Sequence, residues 1–267
     1  MRAPDWLTAR PIAHRGLHDR ARGIIENTPS SAAAAAAADF AIEVDLQLTA
    51  DGDAVVHHDD ELGRLTDGHG DLRALTVAEL KQVPFRDTAD RIITLDELCD
   101  LVAGRVTMVL ELKSRFDGDR KLVARTVEVL RSYKGPAAAM SFDPAMVCEL
   151  RARAPELPRG IVAQSRYDDG EWRALSSDQR RRLTYLRHAF RSRPHFVAYW
   201  VKDLPAPAPW LARNLFGCPL LTWTVRTAED RARAARWADQ MIFEGFRPEE
   251  QGARPAELIE QEPPAVV

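Results

Sequence analysis

The stretch 41-AIEVDLQLTADGDAVVHHDDEL-62 reads as a strand, a tight turn and a second strand that runs into two histidines. Side chains alternate across a strand, so Ile42, Val44 and Leu46 share one face while Glu43 and Asp45 share the other. Only 47-QLTADGD-53 separates the two strands, too few residues for a helical crossover, and it contains Asp51-Gly52, a strong hairpin turn. Residues 44 to 58 are therefore expected to form a β-hairpin projecting from the end of the first of these strands. With Asp51 and Gly52 as a two-residue loop, Asp45 stands opposite His58 on one face and Leu46 opposite His57 on the other; a three-residue loop shifts that pairing.

Outside the hairpin the chain alternates differently. Short apolar, β-branched runs recur as 11-PIAH-14, 41-AIEVDL-46, 106-VTMVLELK-113, 137-AAAMSF-142, 159-RGIVAQ-164, 196-FVAYWV-201, 220-LLTWTV-225 and 240-QMIF-243. Helical segments lie between most of them. The alanine run after Pro29 and Ser30 is built from the strongest helix formers. Thr76 with Glu79 and Thr94 with Glu97 carry the capping-box spacing that opens a helix. Strands alternating with helices imply parallel strands joined by crossovers. Eight of them predict an α/β fold, a (β/α)8 TIM-type barrel with a small hairpin insertion after the second strand. A doubly wound open sheet is the alternative, weakened because no GxGxxG turn follows the first strand. The barrel is expected to occupy residues 1–248, and the Pro- and Glu-rich residues 249–267 to form a loose tail.

Composition narrows the partners. A formal net charge of −3 over 267 residues gives no broad drive toward nucleic acid or an anionic membrane. No stretch approaches eighteen uninterrupted apolar residues, so no membrane span is expected. Cys99, Cys148 and Cys218 are odd in number and far apart, forming neither a metal-type pair nor a disulfide framework. With no apolar signal segment at the N-terminus, the expected location is cytoplasmic.

Three strand ends carry polar residues where barrel strands should be apolar: His14-Arg15, Glu43 with Asp45, and Glu111 with Lys113. In a barrel these faces converge at the C-terminal ends of the strands. Three carboxylates there need a cation, and Lys113 alone does not neutralise them. An all-oxygen set points to a hard divalent ion, Mg2+ or Ca2+, with Mn2+ as a further option. His14, one histidine of the 57–58 pair, Arg15 and Lys113 complete a constellation suited to transfer at phosphorus. Arg and Lys stabilise an anionic transition state, and two imidazoles move protons to and from oxygen.

His14-Arg15-Gly16, 26-ENTPSSA-32, 43-EVD-45, 49-TADG-52, 55-VVHHDDEL-62, 64-RLTDGHG-70, 110-LELK-113, 141-SF-142 and 222-TWTV-225 together resemble the glycerophosphodiester phosphodiesterase family, in order and spacing, over roughly residues 11 to 248. The resemblance implies a phospholipase C-like phosphodiesterase barrel. It also implies hydrolysis of a small-molecule glycerophosphodiester to sn-glycerol 3-phosphate and an alcohol with a divalent metal. Carried over by position, it implies His14 and His58 as the acid/base pair, Glu43, Asp45 and Glu111 as metal ligands, and Arg15 and Lys113 as phosphate contacts. His57 falls at a variable position, and Trp223 is a candidate for the pocket wall. One departure stands out. The family usually ends its last strand in Thr-Asp, and here the place reads 242-IFEGFRP-248, which leaves the pocket rim at the eighth strand unassigned. The order of the histidines, and attack by a substrate hydroxyl or by water, stay open.

Blander readings compete. Taken singly, His14 and His58 read equally well as strand-end histidines satisfied by hydrogen bonds, and the acids as a salt-bridge network with Arg15 and Lys113. Only the ordered set favours chemistry. A lysophospholipase D-type hydrolase on the same barrel is the enzymatic rival, and a non-catalytic phosphodiester-binding protein the other; the latter predicts a damaged histidine and carboxylate set. The segment 179-QRRRLTYLRHAFRSR-193 carries six arginines; an anionic-surface contact is one reading, and a solvated helix face whose apolar residues form the buried side is preferred to it.

Overall fold

The computed structural model describes residues 3–167, 172 and 175–248. All eight apolar runs are strands of one sheet: β1 (Ile12–Ala13), β2 (Ala41–Leu48), β6 (Met108–Leu112), β7 (Ala137–Ser141), β8 (Arg159–Ala163), β9 (Phe196–Trp200), β10 (Leu220–Val225) and β11 (Gln240–Phe243). Each pairs in parallel with the next, and the short β1 closes the ring. Ile12 pairs Ala41 on one side and Ile242 on the other. The fold is thus the expected closed (β/α)8 barrel. Residues 249–267, expected to be a loose tail, lie outside the described residues.

The helices begin where local chemistry starts them. In α1 (Pro29–Ala37) Thr28 and Ser31 cap each other's backbone, and Pro29 occupies the first turn, where its missing N–H costs nothing. The boxes of Thr76 with Glu79 and Thr94 with Glu97 open α2 (Val77–Leu80) and α3 (Leu95–Val102). Around the ring follow α4 (Lys121–Leu130), α5 (Pro144–Arg153), α6 (Ser177–Thr184), α7 (Ala189–Ser192), α8 (Pro207–Asn214) and α9 (Ala228–Trp237). The outward residues Ile42, Val44 and Leu46 of β2 pack under α1 and α3 in one cluster with Ala32, Ala35 and Leu95. Inside the ring, Ile12, Ala41, Val109, Ala138 and Phe196 fill the lower barrel, and Leu7 from the N-terminal segment belongs to the same cluster.

β2 outruns its two-residue neighbour β1, which leaves its far edge free for the antiparallel β3 (Ala54–Val56). The hairpin exists, but its register differs from the two-residue-loop expectation. Leu46 pairs Val56, and His57 N–H donates to the Asp45 carbonyl at 3.0 Å, so Asp45 stands opposite His57 rather than His58. The reason is the loop. Thr49 N–H bonds Asp53 O, Gly52 N–H returns to Thr49 O, and Gly52 adopts φ +84, giving a three-residue loop with its last residue in the left-handed region. One added loop residue moves every pair by one. Beyond it lies an elaboration larger than a hairpin. The ribbon β4 (Glu61–Leu62) and β5 (Gly70–Asp71), together with α2, covers a separate cluster of Val55, Leu62, Leu72, Leu80, Phe85 and Ile92.

The arginine-rich segment also departs from expectation. Leu183 and Leu186 are buried, but Tyr185 and Phe190 face outward.

Candidate active site

The parity of each strand carries its polar residue to the barrel mouth. Ala41 belongs to the interior cluster, so Glu43 and Asp45 continue the same inward row upward. Val109 does the same for Glu111, Ile12 for His14 and Ile242 for Glu244. The register sets Asp45 directly beside Glu111 and Glu43 beside Val109. Three acids from two adjacent strands therefore converge at the C-terminal ends, where barrel active sites form. Candidate ligand oxygens of Glu43, Asp45 and Glu111 lie within 4.8 Å of one another, and all three residues are buried.

Charge balance at this cluster is uneven. Lys113 Nζ lies 3.1 Å from Asp45 and 2.9 Å from Glu111. Asp45 also accepts a hydrogen bond from Asn27 Nδ2 at 2.8 Å and has Arg15 Nε at 3.3 Å. Burial pushes its pKa up, but Lys113, then His58 and Arg15, outweigh it and hold Asp45 well below the usual carboxylate range. Glu43 has no such help. Among the described residues its carboxylate accepts only the Arg15 backbone N–H, at 3.0 Å. Burial, then Asp45 and Glu111, push its pKa well above the ordinary value. A buried carboxylate crowded by two others and paired with no side-chain cation is what a hard divalent ion would relieve, and the all-oxygen donor set fits Mg2+ or Ca2+.

The backbone after β1 makes the Arg15 contact possible. Arg15 and Gly16 both have positive φ, 55 and 80. This bend aims the Arg15 N–H at the Glu43 side chain and the Gly16 N–H at the Glu43 carbonyl, 3.1 Å away. A Cβ on Gly16 would sit 2.7 Å from the Ser31 backbone carbon, so only glycine fits both the bend and the helix beside it. The Arg15 guanidinium is held by Glu26 at 2.6 Å.

Each mouth histidine has a carboxylate behind it. His14 Nδ1 lies 2.7 Å from Glu244 Oε2, and His14 Nε2 lies 4.0 Å from Glu43. Burial pushes Glu244 up, but the hydrogen bond and charge of His14 together with Arg226 bring it to about 2, so it is an acceptor. Nδ1 must then carry the proton, and Nε2 is the atom that faces the acids. His58 Nδ1 likewise lies 2.8 Å from Asp59, whose other oxygen accepts from Arg64 Nε at 2.6 Å. Arg64 reaches on to Glu26 at 2.7 Å, so a chain of charges links the partner of His58 to the partner of Arg15. Glu26 is drawn down to about 2: burial opposes this, and the Arg64 and Arg15 contacts outweigh it.

The adjacent histidines part company. His57 is 2 % exposed, lies 6.4 Å from the Phe85 ring and is pushed down to about 4, mainly by burial. It belongs with Val55 on the face covered by the elaboration after β3. His58 lies past the end of the ladder and lines the mouth cavity because the chain turns there, not because of strand alternation. That cavity, about 390 Å3, is also lined by Asp59, Asp60, Glu111, Lys113 and Arg115, with Phe116, Phe142 and Trp172 as its apolar side. Trp223, on the inward row of β10, stacks edge-on against Phe142 at 5.5 Å, and its indole N–H is buried with no hydrogen-bond partner among the described residues.

Sequence reasoning brought His14, Arg15, Glu43, Asp45, Glu111, Lys113 and His58 to this mouth but passed over four supporting residues. Glu26, Asn27 and Arg64 sit inside motifs already singled out, so their presence was a usable clue. Glu244 lies in the departure from the family pattern; its contact with His14 spans 230 residues, and no spacing rule reaches that far.

A parallel barrel with carboxylates and paired histidines at its mouth is an enzyme scaffold, and known proteins say which. The model of the glycerophosphoryl diester phosphodiesterase family matches residues 14–246. A glycerophosphodiester phosphodiesterase of Caldanaerobacter subterraneus subsp. tengcongensis is 28% identical over 233 residues, 83% of this chain and 88% of that protein. Among solved structures, an Oleispira antarctica phosphodiesterase superposes with a TM-score of 0.71 at 23% identity, covering 87% of this chain and 91% of that one. A Thermotoga maritima glycerophosphodiester phosphodiesterase gives 0.64 at 24%, covering 87% and 92%. The chain belongs to the glycerophosphoryl diester phosphodiesterase family, and it is a phosphodiester hydrolase.

Proposed function

We propose that the protein hydrolyses glycerophosphodiesters to sn-glycerol 3-phosphate and an alcohol, with a divalent cation held by Glu43, Asp45 and Glu111. The observation that carries this reading is the buried three-carboxylate cluster facing two carboxylate-backed histidines. The Oleispira antarctica phosphodiesterase, which shares the fold, is in complex with its product sn-glycerol-3-phosphate, and this supports the choice of substrate.

When bound, the cation would neutralise the acids and act as a Lewis acid toward a phosphate oxygen. The chain supplies the rest. Arg15 and Lys113, both half-buried cations, orient the phosphate and stabilise its added negative charge. His14 and His58, each fixed through Nδ1, offer Nε2 for proton transfer, one to the nucleophile and one to the leaving oxygen. Glu244 and Asp59 hold the tautomers and favour the protonated imidazoles that form in turn. A small cavity rich in charged groups favours a headgroup diester over a lysophospholipid, whose chain would need a long apolar groove.

The test is phosphorus NMR with glycerophosphocholine, glycerophosphoethanolamine and a lysophospholipid, each with Mg2+, with Ca2+ and with chelator. Glycerol 3-phosphate forming from the first two only with metal supports the reading. Turnover that persists in chelator, or in His58→Ala, overturns it.

A further inference from the structure

The second inversion of normal burial in this molecule lies at the other end of the barrel. Helix α8 is built inside out. Its small residues Ala208 and Ala212 pack on the cluster over β8 and β9, while Trp210 and Leu211 point away from it. The chain beyond the helix continues the exposure with Leu215 at 66% and Phe216 at 72%. Facing them across a groove is α7, where Phe190 is 83% exposed and Tyr185, just before the helix, 60%. Among the described residues these six are the only large hydrophobics so exposed, and four of them line one groove of about 1310 Å3. A solvated helix turns its large residues inward, so a contiguous apolar face of this kind marks a contact surface.

The charge around the groove selects the partner. Arg187 and Arg193 line it and Arg191 projects beside it, and none of the three has an acidic partner among the described residues. On α6 Asp178 pairs only with Arg182 and Arg181 is exposed, while Arg180 turns back to the Trp172 and Leu175 carbonyls. On the groove itself Asp239 is already paired with Arg213, leaving Asp5 as the remaining acid. A second copy of the chain would bring the same arginines face to face across a two-fold interface, which like charge opposes. An anionic lipid surface suits both features: arginines meet phosphate headgroups, and Tyr185, Phe190, Leu211 and Phe216 enter the interfacial layer.

We propose that the α7–α8 face docks the protein onto anionic phospholipid membranes. Residues 194, 218, 219 and 239 on this face precede β9, β10 and β11, so it lies at the N-terminal end of the barrel. A docked molecule keeps its catalytic mouth open to water, beside the lipid yet reaching dissolved diesters. The proposal does not depend on the catalytic reading, since failure of docking leaves hydrolysis untouched.

The experiment is flotation of the full chain with vesicles of phosphatidylcholine alone and of phosphatidylcholine with phosphatidylglycerol, at low and at high salt. The expected result is roughly tenfold more protein on the anionic vesicles at low salt, suppressed by high salt. Two surface double variants, F190S with F216S and R187E with R191E, should each return binding to the neutral-vesicle level. Both should keep wild-type turnover of a soluble diester. Equal flotation on neutral and anionic vesicles, or binding that survives both variants, overturns the proposal. So does light scattering that shows a dimer which the variants dissociate, because the face then belongs to a second copy. Binding that appears only after removal of residues 249–267, whose five glutamates outnumber one arginine, overturns it in favour of the chain's own acidic end as the occupant.

Discussion

The barrel mouth and the α7–α8 face break the same rule in opposite directions. At the mouth, charge is buried: Glu43, Asp45 and Glu111, with the half-buried Arg15 and Lys113 against them, crowd a region where strands are ordinarily apolar. At the groove, bulk apolar residues are exposed where a helix is ordinarily polar. Both arrangements cost free energy in the isolated chain, and each is relieved by something outside it. On the readings proposed above, the mouth takes a cation and an anionic substrate, and the groove an anionic lipid surface. The difference lies in precision. Buried carboxylates need partners at defined distances, so the mouth is held by separate hydrogen bonds, Asn27 to Asp45, Arg64 to Asp59 and Glu26, and His14 to Glu244. The groove needs only area and sign.

The sharpest way to break the comparison is at Glu43. Glu43→Gln should lower turnover by about a thousandfold, because it removes a proposed cation ligand and the charge that faces His14. In chelator the same variant should melt at a higher temperature than the wild type. Sign follows from linkage: an acid whose folded pKa is raised is destabilising once pH exceeds its unfolded value, so removing it stabilises the metal-free protein at neutral pH. Mg2+ or Ca2+ should raise the wild-type melting temperature and leave the variant unmoved. A variant that loses activity without gaining stability in chelator would mean that Glu43 is not the uncompensated charge.

The adjacent histidines give the next contrast. His58→Ala and His14→Ala are each expected to lose about a hundredfold to ten-thousandfold in kcat. His57→Phe should keep most activity, since its ring packs against Phe85 away from the cavity. Comparable losses at 57 and 58 in steady-state assays would reverse the placement of the pair.

A smaller effect is expected at Glu244. Glu244→Gln keeps the shape but removes the charge behind His14, and should cost about ten- to a hundredfold in kcat with little change in KM. Arg226→Ala, one step further out, should cost less. If Glu244→Gln raises KM alone, the residue touches substrate rather than positioning His14.

The smallest effect concerns stability and pH. His57 is buried neutral, with its pKa brought down from 6.5 to about 4. Between these values the unfolded chain binds the proton and the folded one does not, so stability falls as pH drops from 6.5 toward 4. The loss amounts to about 3 kcal/mol at most by pH 4. His57→Phe should therefore show a shallower decline than the wild type in urea melts at pH 7 and pH 4.5. Parallel declines would place the acid sensitivity in His188 and His195, which burial also brings down from 6.5 to about 4.

The sequence by itself determined the architecture and most of the mouth. Eight apolar runs separated by capped helices admit few layouts, and the two-residue spacing of Glu43 with Asp45 and of Glu111 with Lys113 survives into any strand, because alternation is a property of the backbone. What only the tertiary structure decided depends on contacts that local rules do not encode. One loop residue moved the hairpin register, and His58 reached the cavity by a turn after the ladder ended. Glu244 met His14 because closing the barrel joins the last strand to the first. Tyr185 and Phe190 face outward although the apolar residues of 179–193 read as a buried side, because helical periodicity marks an apolar face without saying whether anything covers it. Period and propensity act within a few residues, whereas closure, register and coverage are settled by the chain as a whole.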